Sequence, residues 1–414
     1  MTTIPRPRLL RELNTSERLQ TLRRSRAAGH LPYFRSAESL LGPEVVMEGV
    51  SRVMLGSPNY LGFADHPAVM GGARAALDEY GTSLTGSRIL NGSTRLHHEL
   101  EAEIADWHGT EGALVFTTGY QTNLGTVSAL VGPGDTVVAD AYAHASLHDG
   151  ARLSGAKVRG FRHNRLDLFE DTLRRAARDG GRILVLLDGI YSMEGDLNPL
   201  DEMIPMCREH DAAVMLDEAH SVGVLGERGT GAAELFALED EIDVRMGALS
   251  KALSSVGGYI AGDSELLDYL RVNSRAFVFT TVGVPAAMGA ALAAIRLRRT
   301  QEGAERVESL RRHSRYLRAG LEEQGFELGP TSDDWDRTSP IISVFMGDSD
   351  LAMMWWKELY DRKVFVGVAL HPGVPHCGAL LRVCPMATHE QAHIDYALDV
   401  FGLVGQLLSK SVRA

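Results

Sequence analysis

The 414-residue chain is 44% hydrophobic and 23% charged, enough apolar material for one large core with a smaller companion domain. Its net charge of −12 argues against a nucleic-acid or anionic-membrane surface, because nothing would offset phosphate repulsion. Three scattered cysteines, Cys207, Cys377 and Cys384, share no CxxC spacing, exclude a disulfide framework and fit a reducing cytoplasm.

In chain order, residues 1–30 are rich in arginine yet lack the apolar run of a signal peptide. Glu12, Glu17 and the spacing of Leu9, Leu10 and Leu13 predict an amphipathic arm rather than a transit peptide. Ala113–Thr117, Thr136–Ala139, Ile183–Leu187 and Ala213–Leu216 are nearly unbroken apolar runs, with Val244–Leu249 a weaker fifth. Such runs predict strands covered on both faces. Helical patterns at Leu96–Trp107, Leu168–Arg178 and Asp201–His210 alternate with them. The alternation predicts an α/β domain with a mainly parallel sheet. Beyond residue 285 come two long helices, Ala286–Thr300 and Ala304–Gln324, then strands at Ser339–Phe345, Val364–Leu370 and Ala379–Cys384. Thr388 and Gln391 have capping-box spacing and predict the start of a last helix reaching about Leu408. The expected division is an N-terminal segment 1–56, a large domain 57–285 and a small α+β domain 286–414. No run is long enough to span a membrane.

Five lysines stand against a much larger number of arginines, and four of the five lie in polar or helical settings. The exception is Lys251, which follows a predicted strand among small residues and precedes Gly257 and Gly258. Partial desolvation there lowers the pKa and makes the amine nucleophilic. Asp217 ends another strand, where ligands of open α/β sheets bind, and is suited to pair with a protonated pyridine nitrogen. The alternatives are a loop N-cap or half of a metal site with His220, but no further ligands cluster nearby. Gly119 and Tyr120 open an apolar helix after a strand, a place for phosphate or simply a turn that needs glycine. His144 follows the strand Thr136–Ala139 and is either a stacking ring or a buried structural histidine. Arg382 lies inside an apolar strand and calls for an anionic partner, from the protein or from a substrate.

These pieces, in their order, resemble the α-oxoamine synthases, a family of pyridoxal-phosphate enzymes. The resemblance runs from about Pro32 to Leu403. It is carried by Ser57–Gly62 (SPNYLG), Gly81–Arg88 (GTSLTGSR), Asn91-Gly92, Leu96–Glu101, His144–Leu147 (HASL) and Ser192–Asp196 (SMEGD). Asp217–His220 (DEAH), Ser250–Ala252 (SKA) and Phe279–Thr281 complete it. It implies the fold type I transferase architecture, with a large domain around a mainly parallel seven-stranded sheet. It also implies a homodimer with active sites at the interface. Pyridoxal 5′-phosphate would be held by Lys251, with Asp217 at the ring nitrogen, His144 stacked on the ring and His220 near the phenolic oxygen. Gly119, Tyr120, Ser250 and Thr280 of the partner subunit, beside Thr281, would bind phosphate. Arg382 would hold the substrate carboxylate, with Asn59 also at the substrate and Ser192 lining the pocket. The implied reaction joins a small amino acid to an acyl thioester, carried by coenzyme A or an acyl carrier protein, with loss of carbon dioxide.

Two departures stand out. Ala248 replaces a threonine that gives the family a phosphate hydroxyl, and Ser254 replaces a glycine, predicting a loop of different shape. Ser87 stands where glycine-specific relatives carry threonine, leaving room for alanine or serine beside glycine. Ile89 replaces an asparagine near a succinyl carboxylate and favours an apolar acyl chain. The rival activities are an aminotransferase on the same fold and a non-catalytic partner subunit, the second opposed by the presence of Lys251.

Overall fold

The computed structural model describes residues 7–27, 29–330, 338–371 and 373–411. Its strands are β1 (Glu44–Met47), β2 (Val50–Leu55), β3 (Gly112–Phe116), β4 (Thr136–Asp140), β5 (Lys157–Phe161) and β6 (Ile183–Asp188). They continue with β7 (Ala212–Asp217), β8 (Val244–Ala248), β9 (Gly258–Gly262), β10 (Ile342–Gly347), β11 (Val364–Ala369) and β12 (Ala379–Val383). Seven of them form one sheet in the order β3-β9-β8-β7-β6-β4-β5. The run from β8 to β5 is parallel, and β9 is antiparallel to both its neighbours. The carboxyl ends of β3 and of β4 to β8 therefore share one edge of the sheet.

The apolar runs have a direct packing reason. Along β6, Val185 and Leu187 join the core under helices Arg95–His108, Leu166–Asp179 and Leu200–Glu209. Leu184 and Leu186 face the opposite layer with Val127, Leu147 and Leu267 of helices Gly119–Leu130, Ala145–Ser154 and Ser264–Asn273. Each fully buried side chain of this kind contributes about 2 kcal/mol, and both faces are filled.

A second sheet, ordered β1-β2-β11-β12-β10, packs with helices Ser349–Asp361 and Gln391–Ser411 around Trp356, Phe401 and Val366. β2 lies parallel to β11, so the segment before residue 57 supplies two strands to this sheet. The last helix opens at Gln391, two residues later than a capping box on Thr388 would start it. Thr388 Oγ1 is buried without a hydrogen-bond partner, and its side chain occupies the space beside Gly62. The amide of Glu390 bonds instead to His393 Nδ1 at 3.0 Å. Among the described residues, no helix is long and apolar enough to cross a membrane.

Candidate active site

The shared strand edge brings together residues far apart in sequence. β3 leads into Thr118, whose hydroxyl accepts from Gln121 N at 3.1 Å and caps helix Gly119–Leu130. The first amides of that helix, on Gly119 and Tyr120, meet no protein acceptor among the described residues and form an anion-binding helix start. β4 ends in a turn that makes His144 the cap of helix Ala145–Ser154, with its Nδ1 accepting from Ser146 N at 3.3 Å. β6 and β7 end side by side on Asp188 and Asp217, and β8 runs out through Ala248 to Ser250 and Lys251. Together with Asn123, His220 and Gly257 these residues line a cavity of about 340 Å³.

Each titratable group in the cavity is shaped by its neighbours. Asp217 is fixed at both oxygens, Oδ2 accepting from Asn123 Nδ2 at 2.6 Å and Oδ1 from Ala219 N at 2.9 Å. Burial pulls the Lys251 amine down to about 8, partly opposed by the carboxylate of Asp217. Burial raises Asp188 well above the usual carboxylate range, and the adjacent Asp217 adds to this. Asp188 Oδ1 accepts from His144 N at 3.2 Å and so holds the turn that presents the imidazole. Burial also lowers His144, and takes His220 well below its ordinary value with Lys251 and Arg382 adding repulsion. The neutral His220 accepts at Nδ1 from the Tyr60 hydroxyl at 2.8 Å. Arg382 Nη2 lies 3.5 Å from that same hydroxyl, which links the second sheet to the first. Arg382 Nε is buried without a partner, and the guanidinium meets no carboxylate among the described residues.

Not every expected residue reaches this cavity. Ser192 lies outside its lining, next to Met193, whose carbonyl accepts from Ser343 Oγ. Ser87 spends its carbonyl on the turn amides of Leu90 and Gly92, and Ile89 stands 54% exposed on the same turn. Thr280 lines a separate small cavity with Arg88 and His97, and Thr281 is exposed, its carbonyl accepting from Thr117 Oγ1. Asn59 has both amide atoms engaged internally: Nδ2 donates to Leu41 O at 3.0 Å, and Oδ1 accepts from Ser254 Oγ at 2.7 Å. That second bond comes from the residue expected to reshape the loop after Lys251. Ser254 adopts φ 49°, the left-handed conformation a glycine would take, and its hydroxyl ties the turn to Asn59. Ala248 does face the cavity, about where the expected threonine hydroxyl would project.

Asn123, Asp188 and Tyr60 are site residues that single-residue reading passed over. Tyr60 lay inside the SPNYLG motif, Asn123 follows in the helix that Gly119 opens, and Asp188 directly follows the predicted strand Ile183–Leu187, so strand-end position was the signal for it.

A desolvated amine, a doubly anchored carboxylate, a neutral imidazole over the cavity and two free helix-start amides suit one kind of ligand. It is a planar aldehyde with a basic ring nitrogen at one side and a phosphate at the other. Among the described residues no three histidine, cysteine or acidic side chains converge as a metal site.

The family described as "Aminotransferase class I and II" matches residues 51–401. A serine palmitoyltransferase of Sphingobacterium spiritivorum is 39% identical over 374 residues, covering 90% of this chain and 92% of that protein. An 8-amino-7-oxononanoate synthase of Geotalea daltonii is 38% identical over 392 residues, covering 95% of this chain and 98% of that protein. A solved serine palmitoyltransferase from S. paucimobilis matches with TM-score 0.92 at 34% identity, over 98% of this chain and 100% of that one. Another structure of this type, containing pyridoxal phosphate, matches with TM-score 0.91 at 35% identity, over 96% and 99% of the two chains.

Proposed function

The chain belongs to the class I and II aminotransferase family and, within it, to the α-oxoamine synthases, which are pyridoxal-phosphate-dependent acyltransferases; from that premise we propose that it condenses a small amino acid, L-serine first among serine, alanine and glycine, with an alkyl acyl thioester. One carbon–carbon bond forms, and carbon dioxide and a free thiol leave with an α-amino ketone as product. The observation that carries this reading is the buried Lys251 amine facing a doubly anchored Asp217 in one cavity.

Pyridoxal phosphate fits these residues. A Cβ at Gly119 would come within 3.3 Å of Met246 Cε and 3.6 Å of Ala248 Cβ, so glycine keeps the phosphate cradle open. When bound, the cofactor supplies an electron sink for bond making and breaking at the amino-acid α-carbon. Lys251 would anchor it through Nζ and, when that amine is free, would take and return the α-proton. Asp217, oriented by Asn123, would hold the ring-nitrogen proton. His144 would pack on the ring, and His220, kept neutral, would offer its remaining ring nitrogen to the phenolic oxygen. Arg382 binds the substrate carboxylate, because an unpaired guanidinium in this setting is costly without an anion. Two copies assemble so that Thr280 of the partner subunit completes the phosphate site.

Serine leads because the relatives named above include serine palmitoyltransferases. Ser87 and Ile89 stand outside their own chain's cavity; brought to the substrate across the subunit interface, Ser87 would leave space for a side chain and the apolar Ile89 would favour an alkyl over a carboxylated acyl group. The test is the visible absorbance of the loaded protein titrated with serine, alanine and glycine, beside Lys251→Ala. We expect a band that shifts most strongly with serine and no normal band in the variant. Absence of any band after soaking with pyridoxal phosphate would overturn the reading.

A further inference from the structure

Charge in this chain is segregated. Between residues 7 and 27 six arginines stand against two glutamates, whereas the whole chain carries −12. These residues form helices Arg8–Glu12 and Glu17–Ala27, and neither helix buries a residue. Arg8 pairs with Glu12, while Arg11, Arg18, Arg23, Arg24 and Arg26 meet no carboxylate among the described residues. Beside them Leu9, Leu10 and Leu13 are 75%, 46% and 53% exposed.

This surface and the segment after it are tied to the second sheet and its packed helix. Ser25 Oγ meets Met353 Sδ at 3.9 Å, and the Tyr33 hydroxyl donates to Val368 O at 3.5 Å. Val368 belongs to β11, whose preceding residue Gly367 pairs with Arg382 across the sheet. A basic surface with exposed leucines therefore leads to the strand beside the arginine assigned above to the substrate carboxylate.

We propose that this arm docks an acidic carrier protein that presents the acyl thioester on its phosphopantetheine. The inference rests on the acyl-transfer reading above and names the donor. Guanidinium groups steer and orient an acidic helical partner, and the leucines supply an apolar contact that water leaves on docking. Free coenzyme A is a poorer match in size. Helix Glu17–Ala27 alone is about 16 Å long at ~1.5 Å per residue, which spreads its arginines beyond the reach of one diphosphate. A lipid surface is a poorer match in pattern. In helix Glu17–Ala27, at about 3.6 residues per turn, Arg18, Arg23 and Arg26 fall on the same side as Leu19 and Leu22, so that helix has no separate apolar face to lie in a bilayer. Helix Arg8–Glu12, which carries Leu9 and Leu10 and is capped by Leu13, is only five residues long.

The experiment uses the full-length holoenzyme and one decanoyl group on three donors: an acyl carrier protein, coenzyme A and N-acetylcysteamine. Initial rates are compared at low and high salt for the wild type and two variants. One combines Arg11→Ser, Arg18→Ser, Arg23→Ser, Arg24→Ser and Arg26→Ser; the other combines Leu9→Ser and Leu13→Ser. All these side chains are exposed, and unchanged melting temperatures would verify that the fold is kept. We expect KM for the carrier to rise at least about tenfold in both variants with kcat held, and to rise with salt in the wild type. Rates with the N-acetylcysteamine thioester should move less than about twofold, since that donor carries no charge to steer. Equal changes with all three donors, or a carrier no better than N-acetylcysteamine, would overturn the proposal. So would loss of the oligomer or of anionic-vesicle binding in the arginine variant, which would assign the arm to a second copy or to lipid. If all three donors are inert in the wild type, the acyl-transfer reading itself has failed.

Discussion

Lys251 shows how surroundings turn a common residue into a reactive one. An exposed lysine keeps its proton to about pH 10.4, whereas burial brings Lys251 down to about 8 and makes neutral amine abundant near physiological pH. The sign of the pH effect follows from that shift. The rate at which pyridoxal phosphate loads onto the apoprotein should climb as pH rises through about 8 and flatten well before 10, measured by stopped-flow absorbance. A rise centred near the ordinary lysine value would contradict the burial. In Lys251→Ala, turnover should fall by about 10³-fold, the scale of losing a positioned proton-transfer group. Lys251 and Asp217 stood out in the sequence because strand-end position and chemical type coincide there, whereas His144 and His220 were singled out by the family resemblance. Asn123 and Tyr60 were not. An amide or a phenol signals nothing by itself, and their partners Asp217 and His220 lie 94 and 160 residues away.

The turn after Lys251 shows how a side-chain bond can hold a non-glycine residue in a conformation that favours glycine. Ser254 is held in the left-handed region, and its bond to Asn59 helps to compensate for the strain. Ser254→Ala keeps the strain and loses the bond, so it should cost about 1 kcal/mol in urea unfolding. Ser254→Gly loses the bond but relieves the backbone, so it should be close to neutral. No loss in Ser254→Ala would show that the hydroxyl does not stabilise this turn, and equal losses in both variants would show that the backbone carries no strain there. Strands buried on both faces, such as β4, β6 and β7, were legible as unbroken apolar runs. β5 was not, because as an edge strand it alternates exposed Lys157, Val158 and Gly160 with its few covered positions. β9 is short and begins and ends with glycine, and β2 is legible only beside β11, some three hundred residues later. Thr388 had the spacing of a cap, but tertiary packing against Gly62 claimed its side chain.

For the whole molecule, the Lys251 cavity is lined by the Gly119 helix start and by Ser250, while Thr280 lies in a different cavity of the same chain. A homodimer that exchanges Thr280 would supply the missing hydroxyl, which Ala248 cannot. Sedimentation should therefore find twice the chain mass, and Thr280→Ala should weaken pyridoxal phosphate binding by about three- to tenfold in a titration. A monomer with undiminished affinity would contradict the shared site. The most direct measurement of the central claim follows thiol release, carbon dioxide and keto acid together when holoenzyme meets L-serine and a decanoyl thioester. The account predicts thiol and carbon dioxide in equal amounts with no keto acid. Keto acid formed without thiol release would make the protein an aminotransferase instead.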